Sequence, residues 1–177
     1  MPAFSSSSSM MDSGAGTTRS FREIARMLER CPWGRGLAVA QLESIGRHLR
    51  CIEPLKGSFI FREGSQEPYL CILVSGSVAI LKCDSTGRRK RIAELGPGQS
   101  FGEMSLFDEE PRSASAMAEE NCVILILTRE EFQRMIQDMP QLAIQVILRT
   151  CRQMSLRLRK TSAALAELLP SEPVAAG

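Results

Sequence analysis

Residues Phe101–Ala118 read FGEMSLFDEEPRSASAMA, with one acid, Glu103, early and one lone base, Arg112, late. Each sits beside residues with almost no side chain: Gly102 precedes the acid, and Ser113 and Ala114 follow the base. A glycine lets the backbone turn sharply and lets a partner approach closely. Amides at Met104 and Ser105 can open a short helical turn, where an anion is favoured. Arg112 offers a planar fork of donors that matches a phosphate, and Glu103, acceptor-only when ionised, suits the hydroxyl pair of a sugar. On spacing alone two arrangements stay open. Either Glu103 and Arg112 pair with each other across a loop edge, or they hold one ribose and one phosphate of a nucleotide. Asp108-Glu109-Glu110 reads as a solvated turn at the loop tip.

The flanks of this stretch have a period of two. Residues 55–61, 69–74, 77–82, 89–95, 113–118 and 122–128 read as short strands, separated by turn signals at Glu63-Gly64, Ser75-Gly76, Ser85-Thr86-Gly87 and Gly96-Pro97-Gly98. Strands this short and evenly punctuated predict an antiparallel β-roll, a jelly-roll-like barrel. Helices flank it. Ser20 and Glu23 form a capping box before Ile24, Met27 and Leu28, and a second helix is expected over Val39–Leu49. Thr128-Arg129-Glu130-Glu131 caps a third helix, and Pro140 suits the first turn of a long last helix running to Leu169. The predicted class is α+β, with N-terminal helices and a long C-terminal helix around the barrel. Residues 19–169 form the domain, residues 1–18 a disordered Ser-rich tail, and residues 170–177 a loose end.

Composition bounds the function. The 177 residues are 44% hydrophobic and 24% charged, ordinary for one soluble domain. A net charge of +2 argues for neither nucleic acid nor an acidic membrane surface. No apolar run is long enough to span a bilayer and no signal peptide is visible, so a cytoplasmic location is expected. The six cysteines are widely spaced and His48 is the only histidine, which excludes metal-ligand spacing and a nucleophile–base pair. The cysteines read as apolar thiols of a reduced protein, a redox or cluster sensor being the other reading. No enzyme and no cofactor are expected.

Phe-Gly-Glu-x-Ser-Leu followed by Pro-Arg-Ser-Ala resembles the phosphate-binding cassette of the cyclic-nucleotide-binding domain family. The similarity continues through Ile60, Gly64, Tyr69, LVSGSVAIL, LGPGQSFGE and LTREEFQRMI, over roughly residues 37–160. The resemblance implies a non-catalytic sensor for cyclic AMP or cyclic GMP, with cyclic AMP favoured. It places the phosphate on Arg112 and the ribose on Glu103, with Phe101 and Gly102 at the turn. Backbone near Met104, Ser105, Ser113 and Ala114 faces the phosphate. Ile80 and Ile92 match positions that wall the base, though both also fit plain core. Arg157-Leu158-Arg159-Lys160-Thr161-Ser162 is similar to a run that reaches the base across the dimer in the bacterial activator of this family. That implies base contacts at Arg157, Thr161 and Ser162.

Ile144, Ile147, Cys151, Met154, Leu158, Thr161, Leu165 and Leu168 form a heptad seam on the last helix. It fits a homodimer or packing on the chain's own barrel. Arg149, Arg152, Arg157, Arg159 and Lys160 read as a solvated helix face. A handful of residues follow Leu169, so a helix-turn-helix is not expected and DNA is an unlikely partner. A protein effector of unknown kind is expected. A transcription-regulator-like protein without its own DNA-binding domain, or a redox or partner-binding module on the same fold, are the competing functions.

Overall fold

The computed structural model describes residues 19–169, so the expected tails at 1–18 and 170–177 lie outside the described residues. Helix α1 (Phe21–Arg30) starts at the predicted box: Ser20 Oγ accepts from Glu23 N–H at 3.3 Å, and Glu23 Oε2 accepts from Ser20 N–H at 2.8 Å. A 3-10 turn, Pro32–Gly34, leads to α2 (Val39–Gly46). The strands follow: β1 (Arg50–Ile52), β2 (Phe59–Phe61), β3 (Tyr69–Ser75), β4 (Val78–Cys83), β5 (Arg89–Leu95) and β6 (Ser100–Phe101). A one-turn helix α3 (Met104–Phe107) separates β6 from β7 (Ser115–Ala118) and β8 (Val123–Thr128), and α4 (Arg129–Asp138) and α5 (Pro140–Leu168) close the chain.

Two four-stranded antiparallel sheets result, ordered β1-β8-β3-β6 and β2-β7-β4-β5. The first is covered on both faces, which explains the unbroken apolar runs of β3 and β8. Tyr69, Cys71, Leu73, Ile124 and Ile126 point into the space between the sheets. The alternate residues Leu70, Ile72, Leu125 and Leu127 pack under the helices, with Ile24, Leu28, Leu42, Phe132, Met135 and Val146. The period of two and the helical stripes therefore serve two cores that share one sheet.

Several boundaries differ from expectation. Residues 55–58 make a turn, with Ser58 N–H donating to Leu55 O at 3.0 Å, so β2 starts only at Phe59. β1 and β6 are additional strands of three and two residues, too short to show alternation. Helix α2 ends at Gly46 instead of reaching Leu49, because the chain must extend at Arg50 to pair with Ile126.

The seam on α5 divides. Ala143, Val146 and Thr150 are buried against the fold, and Gln153 and Arg157 continue that stripe with hydrogen bonds. Of the predicted seam, Ile147 joins the helical core while Met154 and Thr161 line a cavity. Ile144, Cys151, Leu158, Leu165 and Leu168 remain exposed. The basic face is corrected in two places. Arg149 donates to Trp33 O and Arg35 O at 2.8 and 2.9 Å, and Arg157 reaches the barrel, leaving Arg152, Arg159 and Lys160 exposed.

Candidate functional site

Between the second sheet, the 101–114 segment and α5 lies a cavity of about 340 Å³. That is near the lower end of small-molecule sites, roughly 300–1,000 Å³. Its floor is apolar, from Phe61, Leu95 and Phe101. Ile80 and Ile92 are on its wall. Ile92 is the extra residue of a bulge, since Ile80 pairs with Ala93 and Leu81 with Arg91, and it remains 61% exposed. A large apolar side chain standing in the open at a cavity rim suits a flat, apolar ring face.

Arg112 is 3% exposed and held on every side. Its guanidinium lies over the rings of Phe61 and Tyr69, at 4.1 and 4.3 Å. Nη1 donates to Gly102 O at 2.5 Å and Nη2 to Tyr69 O at 3.0 Å, while Nε, also buried, has no partner. Its backbone is tied too: the N–H donates to Ser65 O and the carbonyl accepts from Gly64 N–H, both at 2.8 Å. Gly102 has φ +74°, and a Cβ there would come within 2.6 Å of Arg112 Nη1 and 3.0 Å of Tyr69 O. Only glycine lets the segment pass this close to the arginine.

Glu103 is 5% exposed. The structure overturns a pairing of Glu103 with Arg112: Glu103 Oε1 meets Arg157 Nη1 at 3.2 Å instead, and Oε2 is buried without a partner. One cavity thus holds a buried cation and a buried anion, and Glu103 Oε2 in it has no partner. Buried carboxylate oxygens are normally satisfied, so Glu103 invites a hydrogen-bond donor from a ligand.

Met104, Ser105, Ser113 and Ala114 line the cavity as well, and Ser113 Oγ lies 3.6 Å from Met104 Sδ. Arg157 and Thr161 reach it from α5, whereas Ser162 is exposed and outside its lining. The acidic tip Asp108–Glu110 is exposed, as expected, and it is tethered as well. Glu109, with φ 63°, pairs with Arg129 Nη1 at 2.5 Å, and Arg129 Nη2 also donates to Leu106 O at 2.9 Å, so α4 grips α3. Sequence reasoning missed Met154 on α5 as a lining residue, and with it the strand residues Phe61, Ala93 and Leu95. Their strands show that they point inward, but not that a cavity lies there.

Helix α5 also holds the sheet edge that leads into the site. Gln153 Oε1 accepts from Ser100 N–H at 2.6 Å, its Nε2 donates to Gly98 O at 2.9 Å, and Arg157 Nη2 donates to Ser100 O at 2.6 Å. The open edge of β6 is thereby satisfied by side chains of a helix.

Comparison with known proteins agrees with this geometry. The family model described as cyclic nucleotide-binding domain matches residues 53–139. The chain is 37% identical over 113 residues to the cyclic AMP receptor protein of Thermus thermophilus, covering 63% of this chain and 52% of that one. It is 29% identical over 135 residues to a CRP-like cAMP-activated global transcriptional regulator of Mycobacterium tuberculosis, covering 76% and 58%. The chain therefore spans about half the length of the curated relatives it matches. Among solved structures, the Thermus thermophilus catabolite activator protein superposes with a TM-score of 0.65 at 33% identity, covering 77% of this chain and 62% of that one. A cyclic nucleotide-binding domain from Methylobacillus flagellatus shares the fold, with a TM-score of 0.75 at 23% identity over 87% and 86% of the two chains.

Proposed function

Because this chain belongs to the cyclic nucleotide-binding domain family through residues 53–139, we propose that it is a non-catalytic cytoplasmic sensor. It binds a cyclic mononucleotide, cyclic AMP in preference to cyclic GMP, and signals through α5 to a protein effector. The observation that carries the reading is a buried arginine and a buried carboxylate on the wall of one cavity, Arg112 and Glu103. The cation suits the cyclic phosphate and the carboxylate suits the ribose 2′-hydroxyl, with the base against Ile80 and Ile92. Signalling follows from Arg157, which bonds both Glu103 and Ser100 O. A ribose on Glu103 competes with Arg157, so ligand and helix position are linked through differential affinity for two arrangements.

The exposed stripe Ile144, Cys151, Leu158 and Leu165 supports a parallel homodimer through α5. Ser162 lies on the exposed side of the helix, so it would meet the partner copy's ligand while Thr161 faces its own. Calorimetry with cyclic AMP, cyclic GMP and cyclic di-GMP tests the function. Cyclic AMP should bind tightest, ahead of cyclic GMP by ~1–2 kcal/mol, the scale of one net hydrogen bond. Cyclic GMP as the tighter ligand overturns the preference, and no binding overturns the reading.

A second reading, a cyclic-AMP-dependent transcription regulator, is favoured by the relative from Mycobacterium tuberculosis, which is named as one. A shift of DNA mobility by the purified protein with cyclic AMP would support it over the sensor without DNA.

A further inference from the structure

The carbonyl of Ser113 is gripped by residues outside the cavity. Lys82, on β4, donates from Nζ to Ser113 O at 2.6 Å and to Glu63 Oε1 at 2.6 Å. Glu63 is itself fixed: Oε2 accepts from Cys83 N–H at 3.0 Å, and its own N–H donates to Ser115 Oγ at 2.9 Å. The turn 62–65, strand β4 and the end of the 101–114 segment are thus cross-tied around one peptide group, that joining Ser113 to Ala114.

A trans peptide is planar, so its N–H points opposite to its carbonyl. With the Ser113 carbonyl held toward Lys82, the Ala114 N–H is turned the other way. Among the described residues it makes no backbone hydrogen bond, although Ala114 is only 9% exposed. Ala114 lines the cavity, and neither Lys82 nor Glu63 does. Buried amides are almost always paired, so a free one at a cavity wall marks the seat of an acceptor.

We propose that Lys82 is a positioning residue, which together with Glu63 locks the 113–114 peptide so that Ala114 N–H is presented to an anionic oxygen of the ligand. This rests on the nucleotide-binding reading above. A cyclic phosphodiester carries two exocyclic oxygens, so an arginine and an amide can act on it together. An ordinary exposed ion pair between Lys82 and Glu63 would contribute almost nothing to binding. What sets this lysine apart is its second bond, to a main-chain carbonyl of the site.

The test combines calorimetry with the amide proton resonance of Ala114, using cyclic AMP as the probe. In the wild type, adding the nucleotide should move that resonance downfield. Lys82→Met keeps the aliphatic stem and should bind about tenfold more weakly, the worth of one hydrogen bond to a charged group. The downfield move should shrink with it, and Lys82→Arg should restore both.

Glu63→Gln separates positioning from charge, and serves also if Lys82→Met fails to fold. Removing an acid near an anion site tightens binding if charge alone matters, whereas loss of the lock weakens it. Wild-type affinity in Lys82→Met, tighter binding in Glu63→Gln, or an Ala114 shift unchanged in the weakened variant each overturns the proposal while nucleotide binding stands. Failure of the wild type to bind any cyclic mononucleotide overturns both.

Discussion

The 101–114 segment and the far half of α5 both contribute to one cavity, yet they are built in opposite ways. Arg112 is enclosed by two rings, two carbonyls and two backbone bonds, at 3% exposure. Beyond Arg157, every described residue of α5 is exposed, and Leu158 and Leu168 are 68% and 82% open to water. The first region is over-determined by its own chain. The second acquires a defined environment only from a ligand or from another surface. On the proposed reading, the enclosed wall would capture the ligand's charge and the exposed wall would register the capture. Arg157 stands at the border, half in each regime.

The largest expected effect is on the enclosed side. Arg112→Ala should weaken cyclic AMP binding by ~2–5 kcal/mol, as for loss of one member of a buried charge pair. It should also destabilise the ligand-free protein, because Tyr69 O loses the Arg112 bond and Gly102 O keeps only the 3.4 Å bond from Ser105 Oγ. Each buried acceptor left unpaired costs about 1–3 kcal/mol. Thermal unfolding and calorimetry together check this. A variant with normal affinity removes Arg112 from the site, and one with normal stability shows that its carbonyl bonds contribute little.

On the exposed side the expected effect is on assembly. Leu158→Asp would place a charge in the exposed stripe and should leave the fold intact while converting a dimer to a monomer by light scattering. A wild type already monomeric at micromolar concentration removes the dimer, and the exposed stripe then belongs to another partner.

These two regions were not equally legible in the sequence. Glu103, Arg112 and Gly102 stand out because the chemistry of a small loop is local: an acid, a base and a glycine within a dozen residues leave few uses. The short apolar runs of β3 and β8 between turn signals likewise announce a sheet, and their unbroken hydrophobicity reflects a second core on the other face. What could not be read are long-range ties between polar residues with no pattern. Lys82 looks like a solvated strand end, Gln153 like a helix surface, and Arg129 like part of a cap. Each grips main chain from an element 20 residues away or more, and main-chain acceptors have no sequence signature. The spacing of the heptad seam fits two faces at once, and only the packing of α5 on the barrel divides it.

Cysteine offers a probe beside each region. Cys71 lies beneath Arg112 in the inter-sheet core, and burial pushes its thiol from 9.0 up to about 12; Cys151 is exposed on α5. Brief alkylation of the native protein should modify Cys151 and the exposed Cys83, and spare Cys71. The same burial has a pH consequence. An unfolded thiol ionises near 9.0 while Cys71 holds its proton to about 12, so the folded state binds that proton more tightly. Its contribution to stability is whole below the unfolded value and is lost as pH rises toward the folded one. Urea midpoints should fall between pH ~8 and ~10.5, and fall less in Cys71→Ala. Equal slopes in the two proteins would assign the loss to other groups, Tyr69 first, since burial raises its phenol as well.

The smallest effect is expected where the two regions meet the base. Thr161 lines the cavity from the exposed part of α5, and its hydroxyl can donate or accept. Adenine offers a 6-amino donor where guanine offers a carbonyl, so one hydroxyl can serve either base by rotating. Thr161→Val keeps the shape and removes the hydroxyl, and nothing in the ligand-free fold depends on it. Stability should therefore stay within ~0.5 kcal/mol of the wild type. Cyclic AMP affinity should drop by only ~0.5–1.5 kcal/mol, one net hydrogen bond. The informative quantity is the difference between the two nucleotides. If Thr161 serves both bases, Thr161→Val weakens cyclic AMP and cyclic GMP equally and leaves the preference where it was. A preference that collapses in the variant instead places base discrimination on α5, making the exposed wall the part that identifies the ligand as well as the part that responds to it.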